Sequence, residues 1–311
     1  MPELPDVTVY VEALTRHVVG RRLVGVRLAS IFLLRSVEPP LSATHGARIV
    51  GVERLGKRIV FELEGELFLV LHLMIAGRLR WTARSPGKPN AKQAGKSALA
   101  AFDFEHGTLL LTEAGTKRRA HLHVVRGRAA LAEHDPRGLE VLECDFEAFA
   151  ARLALDNHTL KRALTDPSIF SGIGNAYSDE ALHAAHLSPF VRTQELTEPD
   201  ARRLFDALRN TLTRFTETLR AEVGDGFPDK VTAFRPDMAV HGRHDEPCPV
   251  CSAPVQRVAF TEREFNYCAT CQTGGKLLRD RALSQLLKDD WPRTVEELEA
   301  RKRAARDRHE N

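Results

Sequence analysis

Residues 248–271 open as Cys248-Pro249-Val250-Cys251 and, after a spacer of 16 residues, close as Cys268-Ala269-Thr270-Cys271. Each CxxC turns two thiols toward one point, and the spacer fits a β-hairpin that brings the two knuckles together. Four thiolates suit one tetrahedral zinc ion with no open position, which reads as a structural site and not a catalytic one. Two disulfides or fortuitous spacing are the other readings of the same cysteines. An ion here would stabilise a hairpin too small to hold a core of its own. The hairpin tip, Phe260 to Asn266, carries Arg263. A metal-stiffened hairpin is a good mount for an arginine that grips a phosphate, although an ordinary exposed arginine fits the same position.

Upstream of the knuckles the sequence is helical. Asp145 can cap a helix through Leu155. Thr197-Glu198-Pro199-Asp200 starts a long one, with Thr197 as cap, Pro199 in the first turn and an apolar stripe at Leu204, Leu208, Leu212 and Phe215. Between them lies Ser171-Gly172-Ile173-Gly174-Asn175 and then a helix from Ala176 to His186. Two helices around a glycine turn can point backbone N–H groups at a phosphate. Downstream, Gly274 to Asn311 reads as two charged amphipathic helices broken near Pro292, which could cap the fold or meet a partner.

The first part of the chain has a different period. Pro5 to Val19 carries a helical stripe at Val7, Tyr10, Val11, Leu14 and Val18, ended by Gly20. From Leu23 to about Leu131 short alternating runs such as 58–63, 67–71 and 108–111 predict a β-rich domain, a sandwich. Ala83 to Ala98 interrupts it as a flexible basic loop. His134-Asp135-Pro136-Arg137-Gly138 marks a domain boundary.

The formal net charge is +3, yet residues 76–128 hold 11 Lys/Arg against 3 Asp/Glu, which leaves the rest of the chain acidic. A basic middle suggests a surface for a polyanion, or simply a solvated loop. No apolar run approaches the ~20 residues that span a bilayer, and the start is unlike a secretory signal. A cytoplasmic location is expected. The fifth cysteine, Cys144, reads as a small packing residue.

The start itself, Met1-Pro2-Glu3, carries chemistry only if Met1 is removed. Pro2 would then present a secondary amine less basic than a lysine. Such an amine can attack a sugar C1′ and form an iminium ion, with Glu3 beside it to move protons. In isolation most such starts carry no chemistry.

Taken together, three stretches resemble the formamidopyrimidine-DNA glycosylase/endonuclease VIII family. They are Met1-Pro2-Glu3-Leu4-Pro5-Asp6-Val7, the segment Gly172 to Leu182, which is similar to the family's helix–two-turn–helix, and the hairpin Arg263-Glu264-Phe265-Asn266-Tyr267-Cys268 with Cys271-Gln272. The resemblance covers about residues 1 to 275. It implies an α+β protein of two domains: an N-terminal helix on a β-sandwich, then a helical helix–two-turn–helix domain with a four-cysteine zinc-finger hairpin. The expected division is 1–133, 134–243, the finger at 244–275 and a charged helical extension at 276–311.

The resemblance further implies a bifunctional glycosylase and abasic-site lyase of base excision repair, acting on damaged or abasic double-stranded DNA held in the cleft between domains. The protein is expected to be a monomer with one structural zinc ion on Cys248, Cys251, Cys268 and Cys271. It makes Pro2 the Schiff-base nucleophile and Glu3 the proton donor. Lys57, in Leu55-Gly56-Lys57-Arg58, is similar to a lysine that assists near the lesion. Asn175 and Arg263 correspond to phosphate contacts, and Arg263 also assists δ-elimination. A non-catalytic damage-binding member is the alternative.

The sequence departs from the family in places. His72-Leu73-Met74-Ile75-Ala76-Gly77 stands where His-Leu-Gly-Met-Ser-Gly is common, so Ile75 takes the position of the wedge that fills the gap of a flipped base. Both apolar residues could instead belong to a core strand. The stretch Thr112 to His121 lacks the phenylalanine of the Arg-Arg-Phe-Gly motif, and its arginine register is open. A DNA-contacting histidine has no counterpart, since Ser97 to Leu99 occupies that region with Lys96 the nearest charge. Asp6 replaces a usual Glu. These departures leave the preferred lesion open.

Overall fold

The protein is represented by a computed structural model, which describes residues 1–84, 95–229, 231–232, 234–260, 263–279 and 291–309. Most of the expected basic loop, the first of the two expected C-terminal helices and part of the finger tip lie outside the described residues. The chain forms two compact units. One comprises residues 1–138 with 212–233, the other residues 139–211 with 234–311.

The first unit opens with helix α1 (Leu4–Val18). Glu3 caps it in an extended conformation, and its backbone N–H donates to Asp6 Oδ2 at 2.9 Å. Val7, Tyr10, Leu14 and Val18 are fully buried at helical spacing, and Gly20 ends the helix with φ +79°. Eight strands follow: β1 (Leu23–Leu28), β2 (Ile49–Leu55), β3 (Arg58–Leu63), β4 (Leu67–His72), β5 (Gly77–Ala83), β6 (Ala98–Phe104), β7 (Gly107–Glu113) and β8 (His121–Arg126). They pair antiparallel as two four-stranded sheets, β1-β6-β7-β5 and β2-β3-β4-β8.

Period-two alternation puts Leu79, Phe102, Phe104, Leu109 and Leu111 of one sheet into the same core as Ile59, Phe61, Leu69, Leu71, Leu122 and Val124 of the other. Phe61 and Phe102, one from each sheet, stack at 6.1 Å. This is the sandwich that the alternating runs predict. On the second sheet the opposite parity faces away from that core. There Val60, Phe68, Val70 and Val125 form a smaller cluster with Leu131 of α2 (Arg128–Ala132).

The second unit contains α3 (Phe146–Ala154), α4 (Leu160–Thr165) and α5 (Asn175–Ala184). Asp145 Oδ1 accepts from Ala148 N at 2.8 Å, and Thr159 caps α4. Helix α6 (Glu198–Val223) starts in this unit, where Asp200 N donates to Thr197 Oγ1. Strands β9 (Gln256–Phe260) and β10 (Arg263–Tyr267) make the hairpin, followed by the short α7 (Ala269–Thr273). The terminal helix α8 (Val295–His309) packs beside it: Val295 joins Val258, Phe265, Tyr267 and Ala269, and Lys302 Nζ pairs with Asp245 at 2.9 Å.

Candidate active site

The N-terminus packs into the first unit, with Met1 partly exposed. Pro2 is buried, and Glu3, Asp6 and Lys57 are 2%, 3% and 9% exposed. Lys57 sits in the β2–β3 turn, directly after Gly56. Burial lowers the pKa of the Met1 amine; Arg78 and Lys57 act in the same direction, while Glu3 and Asp6 oppose it. Lys57, distant in sequence, is thus brought to the Pro2-Glu3 start. Burial also pushes the Asp6 carboxyl up to about 7. A desolvated carboxyl beside an amine can hold or yield a proton near neutral pH.

Sequence reasoning misses two of these charged contributors. Asp6 reads in the sequence only as a changed family position. Arg78 sits on β5 as one of several basic residues, and its sequence neighbours give no sign of its role. Its Nε donates to Val231 O at 2.5 Å, and its Nη1 donates to Gly77 O at 2.7 Å and Ile75 O at 3.2 Å. The guanidinium therefore ties down the β4–β5 turn.

That turn presents Ile75, which is 57% exposed and no core strand residue. Met74 adopts φ +53°, and its N–H donates to His72 Nδ1 at 2.9 Å. Gly77 closes the turn onto Leu73 O, where a Cβ would come within 2.2 Å of that oxygen. Farther along, the Glu113 carboxylate accepts from Arg119 N and Ala120 N at 3.0 Å, so one buried acid organises the stretch whose register the sequence leaves open.

In the second unit Asn175 opens α5, and its Nδ2 donates to Glu264 O of β10 at 2.7 Å. Behind it lies a buried polar network. Lys161 Nζ donates to Asn175 O at 2.8 Å, Ser178 Oγ at 2.7 Å and Asp179 Oδ1 at 2.5 Å. Asp179 Oδ2 takes His241 Nδ1 at 2.7 Å and Asn266 N at 3.1 Å. Glu180 accepts three backbone N–H groups, from Ala239, Val240 and His241. The network locks the start of α5 to the hairpin strand. Sequence reasoning misses it; the available signal is the run of three polar residues, 178–180, within a helix that is otherwise buried among apolar side chains. Arg263 opens β10 opposite Phe260, and its side chain lies outside the described residues.

The Sγ atoms of Cys248, Cys251, Cys268 and Cys271 lie within 4.8 Å of one another, with Sγ–Sγ distances of 3.4 Å for Cys251–Cys268 and 3.9 Å for Cys248–Cys271. A zinc ion at ~2.3 Å from each sulfur requires about this spacing. Burial pushes the Cys268 thiol up to about 11, and Cys271 higher still, so a dication is needed to hold all four as thiolates. The residues fit one structural zinc ion. His183 Nε2 lies 3.3 Å from Cys248 Sγ, which adds a second link from α5 to the finger.

Among the described residues no helix is long and apolar enough to cross a membrane. Family models match three consecutive stretches: the formamidopyrimidine-DNA glycosylase N-terminal domain at 1–141, the formamidopyrimidine-DNA glycosylase H2TH domain at 138–223, and the zinc finger found in FPG and IleRS at 245–274. A formamidopyrimidine-DNA glycosylase of Solibacter usitatus is 32% identical over 281 residues, 88% of this chain and 99% of that one. The crystal structure of the MutM (Fpg) protein of Thermus thermophilus aligns with TM-score 0.72 at 32% identity, covering 87% of this chain and 98% of that one. The Lactococcus lactis Fpg, solved with DNA containing an abasic site, shares the fold with TM-score 0.74 at 22% identity, over 87% and 99% of the two chains.

Proposed function

The chain belongs to the formamidopyrimidine-DNA glycosylase family, and from that premise we propose that it is a bifunctional glycosylase and lyase with Pro2 as its nucleophile. The substrate class is double-stranded DNA carrying an oxidised base or an abasic site. The observation that carries this reading is the convergence of Glu3, Asp6, Lys57 and Arg78 on the N-terminus, where Pro2 is buried and the amine of Met1 has a lowered pKa. A lowered pKa leaves more of an amine unprotonated, and the unprotonated amine is the nucleophile.

Removal of Met1 frees the nitrogen of Pro2 from its peptide bond as a secondary amine beside Glu3. The damaged nucleotide must leave the base stack for its C1′ to be reached. The proline nitrogen bonds to C1′ as the bond from C1′ to the base breaks, and the base departs with a proton. Glu3 supplies a proton to the ring oxygen, the sugar opens, and an iminium ion forms. The iminium acidifies the C2′ hydrogen. Loss of that proton expels the 3′ phosphate, and a second elimination through C4′ expels the 5′ phosphate. Water then hydrolyses the iminium and frees Pro2. Lys57 adds positive charge close to the sugar. Asn175 at the start of α5 and Arg263 at the start of β10 hold phosphates of the DNA without reading its sequence. Ile75, exposed on a turn braced by Arg78, fills the space the nucleotide vacates. Zinc holds the hairpin and takes no part in the reaction.

Borohydride trapping on a duplex with an abasic site tests the reading, with Pro2→Gly and Glu3→Gln as controls. A covalent adduct through the mature N-terminus, lost in Pro2→Gly, is expected. No adduct from zinc-loaded protein shown to begin at Pro2 would sink the lyase and leave a damage-binding protein.

A further inference from the structure

The outward face of the second sheet carries a cluster that the reaction above does not use. Strand register sets Arg58 of β3 opposite His72 of β4, and His72 opposite His121 of β8. The rings of His72 and His121 stack at 5.2 Å and 15°. His121 meets His123 edge-on at 5.5 Å, and His123 meets His134, just past α2, at 4.7 Å. Four imidazoles thus form one run that begins where the charge of Lys57 is felt, at His72.

Arg58 borders this run. Its guanidinium is half-buried, and among the described residues it has neither a hydrogen bond nor an ion pair, only the longer-range attraction of Asp135. A partly desolvated guanidinium without an acceptor is costly, and a bound anion would relieve that cost. His123 and His134 make no side-chain hydrogen bond among the described residues either, and both line an open cleft of about 560 Å³ together with Ser36, Arg126 and the carboxylates Glu38 and Glu133. Sandwich packing requires none of these polar groups, since the apolar cluster under α2 lies farther along the same face.

We propose that Arg58, His123 and His134 form a second phosphate site, which takes a backbone phosphate of the bound DNA beyond the catalytic pocket. This rests on the reading of the protein as a DNA-binding enzyme. Without DNA, burial and cationic neighbours keep the rings neutral, with His123 pushed down to about 4. The groups facing them are Arg58 from β3, His72 from β4, His121 and Arg126 from β8 and Arg35 from the segment between β1 and β2, opposed by Glu38, Glu133 and Asp135. A phosphate tips that balance toward protonated rings. Protons are then taken up on binding, and affinity rises as pH falls.

The test is equilibrium binding to an abasic-site duplex between about 50 and 200 mM salt, near pH 6 and near pH 8. Arg58→Gln should flatten the slope of log affinity against log salt by about 0.9, and Arg58→Lys should restore it. The double variant His123→Gln/His134→Gln should lose the tightening seen at the lower pH. An unchanged slope in Arg58→Gln overturns the site, as does a loss that Arg58→Lys does not restore. Trapping by the wild-type protein separates the two questions: a protein that traps DNA but shows no change in slope keeps its enzymatic reading and loses this one.

Discussion

Replacing Lys161 by methionine should destabilise the second unit by roughly 3–5 kcal/mol. The ammonium donates to Asp179 Oδ1, and it also serves Asn175 O and Ser178 Oγ. The lysine side chain is 9% exposed and that of Asp179 is 0%. Methionine keeps most of the methylene stem, so packing changes little and the loss is electrostatic. His241 and Asn266 still serve Asp179 Oδ2, which places the expected cost at the lower end, about 3 kcal/mol. For a unit of roughly 150 residues this corresponds to a fall in melting midpoint of about 6–12 °C. Scanning calorimetry of the zinc-loaded chain measures it, with the transitions of the two units treated separately because such a chain need not unfold in one step. Adding Asp179→Asn removes the stranded charge and should recover half or more of the loss. A single variant within about 1 kcal/mol of wild type, or a double variant that melts no higher than the single, would refute the argument that this buried charge pair holds α5.

Asp6 gives stability a pH dependence of known sign. Its folded pKa of about 7 is raised above its unfolded value, so the folded chain binds the extra proton between about pH 4 and 7, and stability falls as pH rises through that window. Asp6→Asn should flatten the fall in melting midpoint, and equal slopes in the two proteins would contradict it. Gly77→Ala forces a Cβ against Leu73 O at 2.2 Å and should cost about 1–3 kcal/mol in guanidinium unfolding; an unchanged midpoint would mean the turn yields freely. Cys268→Ser or chelation should remove one zinc per chain by mass spectrometry and expose β9 and β10 to hydrogen exchange while α1 keeps its protection. A hairpin still protected without metal would show that it carries its own core.

Much of this protein is encoded locally. The two CxxC knuckles follow from four residues each, the caps at Asp145, Thr159 and Thr197 from one turn of chain, and α1 from its apolar spacing; short-range geometry needs no knowledge of the rest of the fold. Pro2, Glu3 and Lys57 stand out in the sequence only through the family resemblance, since their types and spacing alone point to no site. Tertiary structure alone decides what depends on register and on burial. Arg58, His72 and His121 become neighbours only because β3, β4 and β8 pair at one offset. Arg78 acts on the amine, and Asp179 needs Lys161, His241 and Asn266, because the fold removes water from these charges. Residues 212–233 continue the long helix in sequence, yet Phe227 and Val231 pack into the core of the sandwich. A residue's type and spacing fix what it can do locally, but only the packed chain sets the dielectric and the partners that make a charge costly, paired or reactive.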